Sequence, residues 1–162
     1  MEKVFLEIIQ KNQGIIHKVC NMYCDSREDR SDLFQEIVAQ LWKSYPSFRQ
    51  ESKVTTWMYR VALNTAITSF KKSKRRPDQN RLTYENFQLA DEEYDIETEE
   101  NIKLLHTAVS QLTGVEKSII LLYLENKKYE EIAEITGITQ NYVRVKMNRV
   151  KKKLKKLMVN EE

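Results

Sequence analysis

The chain has 162 residues, 41% hydrophobic and 31% charged, with three glycines and two prolines. That apolar content excludes wholesale disorder, and so few helix breakers among many Leu, Ile, Lys and Glu predict an all-α protein. The net charge of +3 excludes nothing alone, but it is unevenly spread: Lys71–Arg76 carries five positive charges and no acid, Asp91–Glu100 seven negative charges and no base, and Arg144–Lys156 eight positive charges and no acid. Two basic zones around an acidic stretch fit two polyanion-binding units on a tether, and equally two solvated helix faces with an acidic linker.

Apolar residues recur at helical spacing from about Val4 to Cys24, predicting a first helix. No apolar run is long enough to cross a membrane and the N-terminus has no signal-peptide pattern, so the expected protein is cytoplasmic and not membrane-inserted. His17, Cys20 and Cys24 place three potential metal ligands on one helical face, without an evident fourth. The same face carries Ile16, Val19 and Tyr23, and free cysteine packs as a small hydrophobe, so packing is the preferred reading and neither metal nor cofactor is expected.

Asp25-Ser26 interrupts the pattern, and Ser31 or a neighbour can cap a second helix with Leu33, Phe34, Ile37, Val38, Leu41 and Trp42 at three- and four-residue steps. It should end near Tyr45, since Pro46 disfavours helical geometry just before it. A polar loop, Ser47–Lys53, leads into a third helix from about Thr55, whose apolar face runs through Trp57, Met58, Val61, Ala62, Thr65, Ala66 and Phe70 until Pro77 stops it. Three such helices can close a small core over residues 1–76. Residues 77–100 lack periodicity and are read as an acidic, self-repelling linker. A second helical unit is expected over 101–162.

The sharpest local pattern is Tyr129–Met147, YEEIAEITGITQNYVRVKM, which resembles a helix-turn-helix. Ala133 is small where two helices would cross, Gly137 can take the left-handed conformation that ends the first, and Val143 fills the angle between them. Thr139 suits the cap of the second helix, which starts at Gln140. Val143, Met147, Val150, Leu154 and Leu157 are spaced to pack inward. Gln140, Asn141, Tyr142, Arg144, Val145, Lys146, Asn148 and Arg149 are left outside, where amides and guanidinium groups can read base edges and lysines neutralise phosphates. A helical hairpin with a wet basic face is the plainer alternative.

Such a motif does not separate a repressor from other DNA-binding proteins; two stretches of the first unit do. Ser26–Trp42, SREDRSDLFQEIVAQLW, and Phe48–Thr65, FRQESKVTTWMYRVALNT, resemble region two of the extracytoplasmic-function (ECF) sigma factors of the sigma-70 family. Leu112–Ile138 resembles their region four. The resemblance implies a non-enzymatic subunit that docks on core RNA polymerase and directs it to promoter DNA, and that an anti-sigma factor restrains. It assigns polymerase docking to Asp32, Leu33, Gln35, Glu36, Leu41 and Trp42. Minus-ten DNA falls to Lys53, Thr56, Trp57, Tyr59, Arg60, Asn64, Lys71, Lys72, Arg75 and Arg76. Tyr59 is expected to be the more exposed stacking aromatic, and for Trp57, among Met58, Val61 and Phe70, core is the preferred reading over stacking. The minus-thirty-five element falls to the helix from Thr139 and Gln140. Gln50 stands where the family has glycine and Val54 where it has phenylalanine, both in the loop that captures a flipped-out base. Rival readings are a stand-alone dimeric helix-turn-helix regulator and a metal protein built on His17, Cys20 and Cys24.

Overall fold

The structure, a computed structural model, describes residues 1–74 and 96–159, and every regular element among them is helical. The first apolar stripe is divided between α1 (Glu2–Lys11) and α2 (Gln13–Tyr23) rather than forming one helix. Asn12 leaves helical geometry at φ −120°, ψ 23°, and its Nδ2 donates to the Ile8 carbonyl at 2.9 Å. A short amide side chain competes with the backbone for hydrogen bonds, and here it ends α1. The break lets Phe5 and Ile9 face the same core as Ile16, Val19, Cys20 and Tyr23.

Helix α3 (Arg27–Ser44) starts before Ser31, because Ser26 caps it: the Ser26 Oγ accepts from the Asp29 N–H at 3.0 Å. Glu28 and Asp29 in the first turn complement the helix dipole. The helix ends at Ser44 and a 3-10 turn, Tyr45–Ser47, carries Pro46 at its start, as the proline predicts. Helix α4 (Val54–Lys74) runs into the basic stretch and buries Trp57, Met58, Tyr59, Ala62, Leu63 and Ala66. Arg75, Arg76, Pro77 and the following segment up to residue 95 lie outside the described residues. Helix α5 (Ile96–Ser110) begins inside the segment read as linker.

Helices α6 (Gly114–Leu124), α7 (Tyr129–Thr136) and α8 (Gln140–Val159) complete the chain. A capping box opens α6: the Glu116 N–H donates to Thr113 Oγ1 at 3.2 Å, and the Thr113 N–H to Glu116 Oε1 at 2.9 Å. Residues Glu116 to Leu122 of α6 are all buried, which a helix tolerates only when neighbours cover its whole circumference. Here α7 and α8 cover one side, and α2 and α4 the other. One hydrophobic cluster therefore runs unbroken from Phe5 in α1 to Val150 in α8.

Candidate nucleic-acid interface

The angle between α7 and α8 is set by three residues. Gly137 takes φ +79° and donates its N–H to the Ala133 carbonyl at 2.9 Å, closing α7 in the left-handed conformation that costs glycine least. Thr139 Oγ1 accepts the Tyr142 N–H at 3.1 Å, capping α8. Val143, Met147 and Val150 are fully buried against Ile132 and Ile135. With that stripe turned inward, Thr139, Gln140, Asn141, Tyr142, Arg144, Val145, Asn148 and Arg149 are exposed and Lys146 is half-buried, its Nζ 5.6 Å from the centre of the Tyr142 ring. Amide, guanidinium and ammonium groups thus share the outer face of a helix start that carries partial positive charge. An extended anion such as a nucleic-acid backbone suits that face.

A second basic surface follows α4. Lys53, Asn64, Lys71 and Lys72 are exposed, and Thr56 and Arg60 are half-buried. Trp57 belongs to the core at 7% exposure and stacks on Phe48 at 4.7 Å, fixing the loop of 48–53 against the helix. Gln50, in that loop, adopts φ +57°. The reading of Tyr59 as an exposed stacking residue is overturned: it is 3% exposed, and burial, with the Glu125 carboxylate, pushes its phenol up to about 12. Lys127 Nζ lies 5.8 Å from the centre of the Tyr59 ring, and the Arg60 Nη2 donates to the Glu134 carbonyl at 2.8 Å. Periodicity within α4 could not foresee this, because the cover comes from the α6–α7 region.

On α3, Asp32, Gln35, Glu36 and Trp42 are exposed. Leu33 and Leu41 are not part of that edge: at 3% and 0% exposure they turn, with Ile37, into the core. Beside the edge lies an apolar groove of about 420 Å³ between α1 and α3, lined by Phe5, Leu6, Phe34, Val38, Ala39 and Trp42 among others. Trp42 meets Phe5 edge-on at 4.9 Å. The contribution of α1 was missed in the sequence, although Leu6, apolar beside the Phe5–Ile9 stripe and half exposed, marks a second apolar face.

Residues 8–76 match Sigma-70 region 2 and residues 102–154 match Sigma-70 region 4. The chain is 28% identical over 147 residues to the RNA polymerase sigma factor SigV of Bacillus subtilis, covering 90% of this chain and 86% of that protein. It is 29% identical over 162 residues to the ECF RNA polymerase sigma-E factor of Haemophilus influenzae, covering 93% and 85%. This chain is an ECF sigma factor of the sigma-70 family. It directs transcription initiation by RNA polymerase. The solved sigma factor RpoE of Bartonella quintana, in complex with the anti-sigma factor NepR, shares its fold at a TM-score of 0.70 and 15% identity over 99% of this chain and 98% of that one.

The cysteines of the sigma factor serve packing. Cys20 is 2% exposed, the His17 ring lies on Phe34 at 4.9 Å, and no group of three or more His, Cys, Asp or Glu among the described residues could hold a metal. Burial first, opposed by Arg30, pushes the Cys20 thiol up to about 11; burial and nearby acids push Cys24 up to about 12. Among the described residues no helix is long and apolar enough to cross a membrane.

Proposed function

We propose that the sigma factor divides its work between two units. Residues 1–76 dock on core RNA polymerase through the exposed α3 edge of Asp32, Gln35, Glu36 and Trp42, with the neighbouring α1–α3 groove taking apolar side chains of the polymerase. The loop of 48–53 and the basic side of α4, with Lys53, Thr56, Arg60, Asn64, Lys71 and Lys72, receive the unpaired minus-ten strand. Trp57 supports that loop from beneath by stacking on Phe48. Residues 101–162 lay α8 into duplex DNA at minus thirty-five, and residues 77–100 join the two units. The carrying observation is the outer face of α8, where base-reading and phosphate-neutralising side chains stand exposed behind a Thr139 cap and a left-handed Gly137.

The protein is non-enzymatic and cytoplasmic in this reading, and catalysis belongs to the polymerase. An anti-sigma factor is its regulator; the relative solved with NepR supports that partner class. Run-off transcription with purified core polymerase on a genomic fragment library, with and without the protein, tests the proposal. Discrete new transcripts preceded by two spaced elements are expected. Palindromic duplex protected by the protein alone, without transcripts, would favour a stand-alone regulator.

A further inference from the structure

Five of the eight positive charges in Arg144–Lys156 lie beyond Arg149, and all five are lysines. Lys153 turns toward α6: its Nζ lies 3.3 Å from Glu116 Oε1, the oxygen that also closes the capping box. Leu154 packs beside it against the core, and Val150, one turn earlier, is fully buried. Those contacts fix the rotation of the second half of α8 and leave Lys151, Lys152, Lys155 and Lys156 exposed. Lys151 Nζ stands 4.7 Å from the centre of the Tyr123 ring, a favourable place for an ammonium group. Among the described residues none of the four forms an ion pair. Like charges four residues apart, Lys151 with Lys155 and Lys152 with Lys156, repel one another, so the stripe is a cost to the free helix.

These lysines continue the outer face of α8 rather than starting a new one. Lys151 stands two turns after Arg144, Lys155 one further turn on, and Lys152 one turn after Asn148. The chemistry changes along the way. From Gln140 to Arg149 the face mixes amides, guanidinium groups and the apolar Val145. That part spans about 13 Å of helix, close to the roughly 12 Å width of a major groove. Beyond it come only ammonium groups, point charges that neutralise phosphate without reading a base edge. Lys156 stands about 24 Å along the axis from Gln140, outside a groove that the first half already fills. We propose that the second half of α8 is a separate phosphate clamp. With Gln140–Arg149 in the groove, Lys151, Lys152, Lys155 and Lys156 grip the duplex backbone that flanks the recognised element on one side. The proposal rests on the assignment of α8 to duplex DNA. The clamp has no sequence preference, and its contribution depends on how much duplex extends past the element.

The test uses the full native chain and hairpin-closed duplexes built on the element it selects from a random-sequence duplex library. One duplex ends at the borders of the element; two others add about ten base pairs, one helical turn, on one side or the other. Fluorescence anisotropy at several salt concentrations compares the native chain with Lys152→Gln/Lys155→Gln/Lys156→Gln and with Lys152→Arg/Lys155→Arg/Lys156→Arg, which keeps the charge. Glutamine preserves helix propensity, and circular dichroism checks that each variant is folded. One flank and not the other is expected to tighten native binding about tenfold and to steepen the slope of log affinity against log salt by about two to three. The glutamine variant loses that gain and keeps the native affinity for the bare element, whereas the arginine variant keeps both. No flank gain in the native chain, equal gains from both flanks, a gain that survives in the glutamine variant, or an equal loss on bare and flanked duplexes overturns the clamp. Run-off transcription from templates bearing the element separates the two ideas. Transcripts without a flank gain defeat the clamp alone, whereas a one-sided flank gain without transcripts defeats the proposed function alone.

Discussion

Gln50 sits at φ +57° in the 48–53 loop, in the left-handed region that a side chain with a Cβ occupies at a cost. This gives a physical reason for the family's glycine at that position. Gln50→Gly should stabilise the protein by about 0.5 kcal/mol, the relief of strain exceeding the added freedom of the unfolded chain. A thermal melt checks it, and a lower Tm would contradict it. Glu116 offers a pH-dependent counterpart. Burial pushes its carboxyl up, but the Thr113 N–H, the Lys153 ammonium and the Thr113 hydroxyl outweigh that and hold it below the usual carboxylate value. A group depressed in the folded state contributes stability that is present above its unfolded pKa, near 4.3, and is lost as pH falls through the folded value. Glu116→Gln should therefore flatten the acid side of a Tm-against-pH curve, and an unchanged slope below about pH 4.3 would contradict it. The thiols of Cys20 and Cys24, raised to about 11 and about 12, should react slowly with iodoacetamide in the native protein and quickly in denaturant.

At the scale of elements, α8 was the most legible part of the sequence. Its inward stripe, its Thr139 cap and the Gly137 turn are each set by residues a few positions apart, so local pattern suffices. Thr139→Ala should cost roughly 0.5–2 kcal/mol by removing the cap and should weaken duplex binding. Arg144→Ala and Lys146→Ala should each lower duplex affinity and reduce the slope of log affinity against log salt by about one. Affinity measured at several salt concentrations checks both. The α1–α2 break was less legible, because a side-chain amide at Asn12 decided it against a continuous apolar period. Likewise Ser26 displaced Ser31 as the cap of α3 because its Oγ reaches the Asp29 N–H. The assignment of Leu33 and Leu41 to a surface came from family pattern, whereas helical period puts both beside Ile37, facing inward.

The whole molecule departs furthest from what sequence alone conveys. Periodicity within a helix reports that one face is buried, not which helix buries it, and the cover over Tyr59 comes from residues some seventy positions later. Lys117 reads as a surface charge, yet it is buried between two units. The unbroken core from Phe5 to Val150 predicts a single cooperative unfolding transition for the full chain, seen as coincident thermal melts by circular dichroism and tryptophan fluorescence. Separate surfaces serve polymerase and promoter in the proposed mechanism, and run-off yield titrated against sigma concentration distinguishes the two. With Glu36→Arg on the exposed edge of α3, the titration should need more protein to reach the native plateau. With Arg149→Ala on α8, it should keep the native midpoint but fall short of that plateau at limiting promoter DNA. Identical displacement of both curves, or no transcript from the native chain at any concentration, would rule out that division of surfaces.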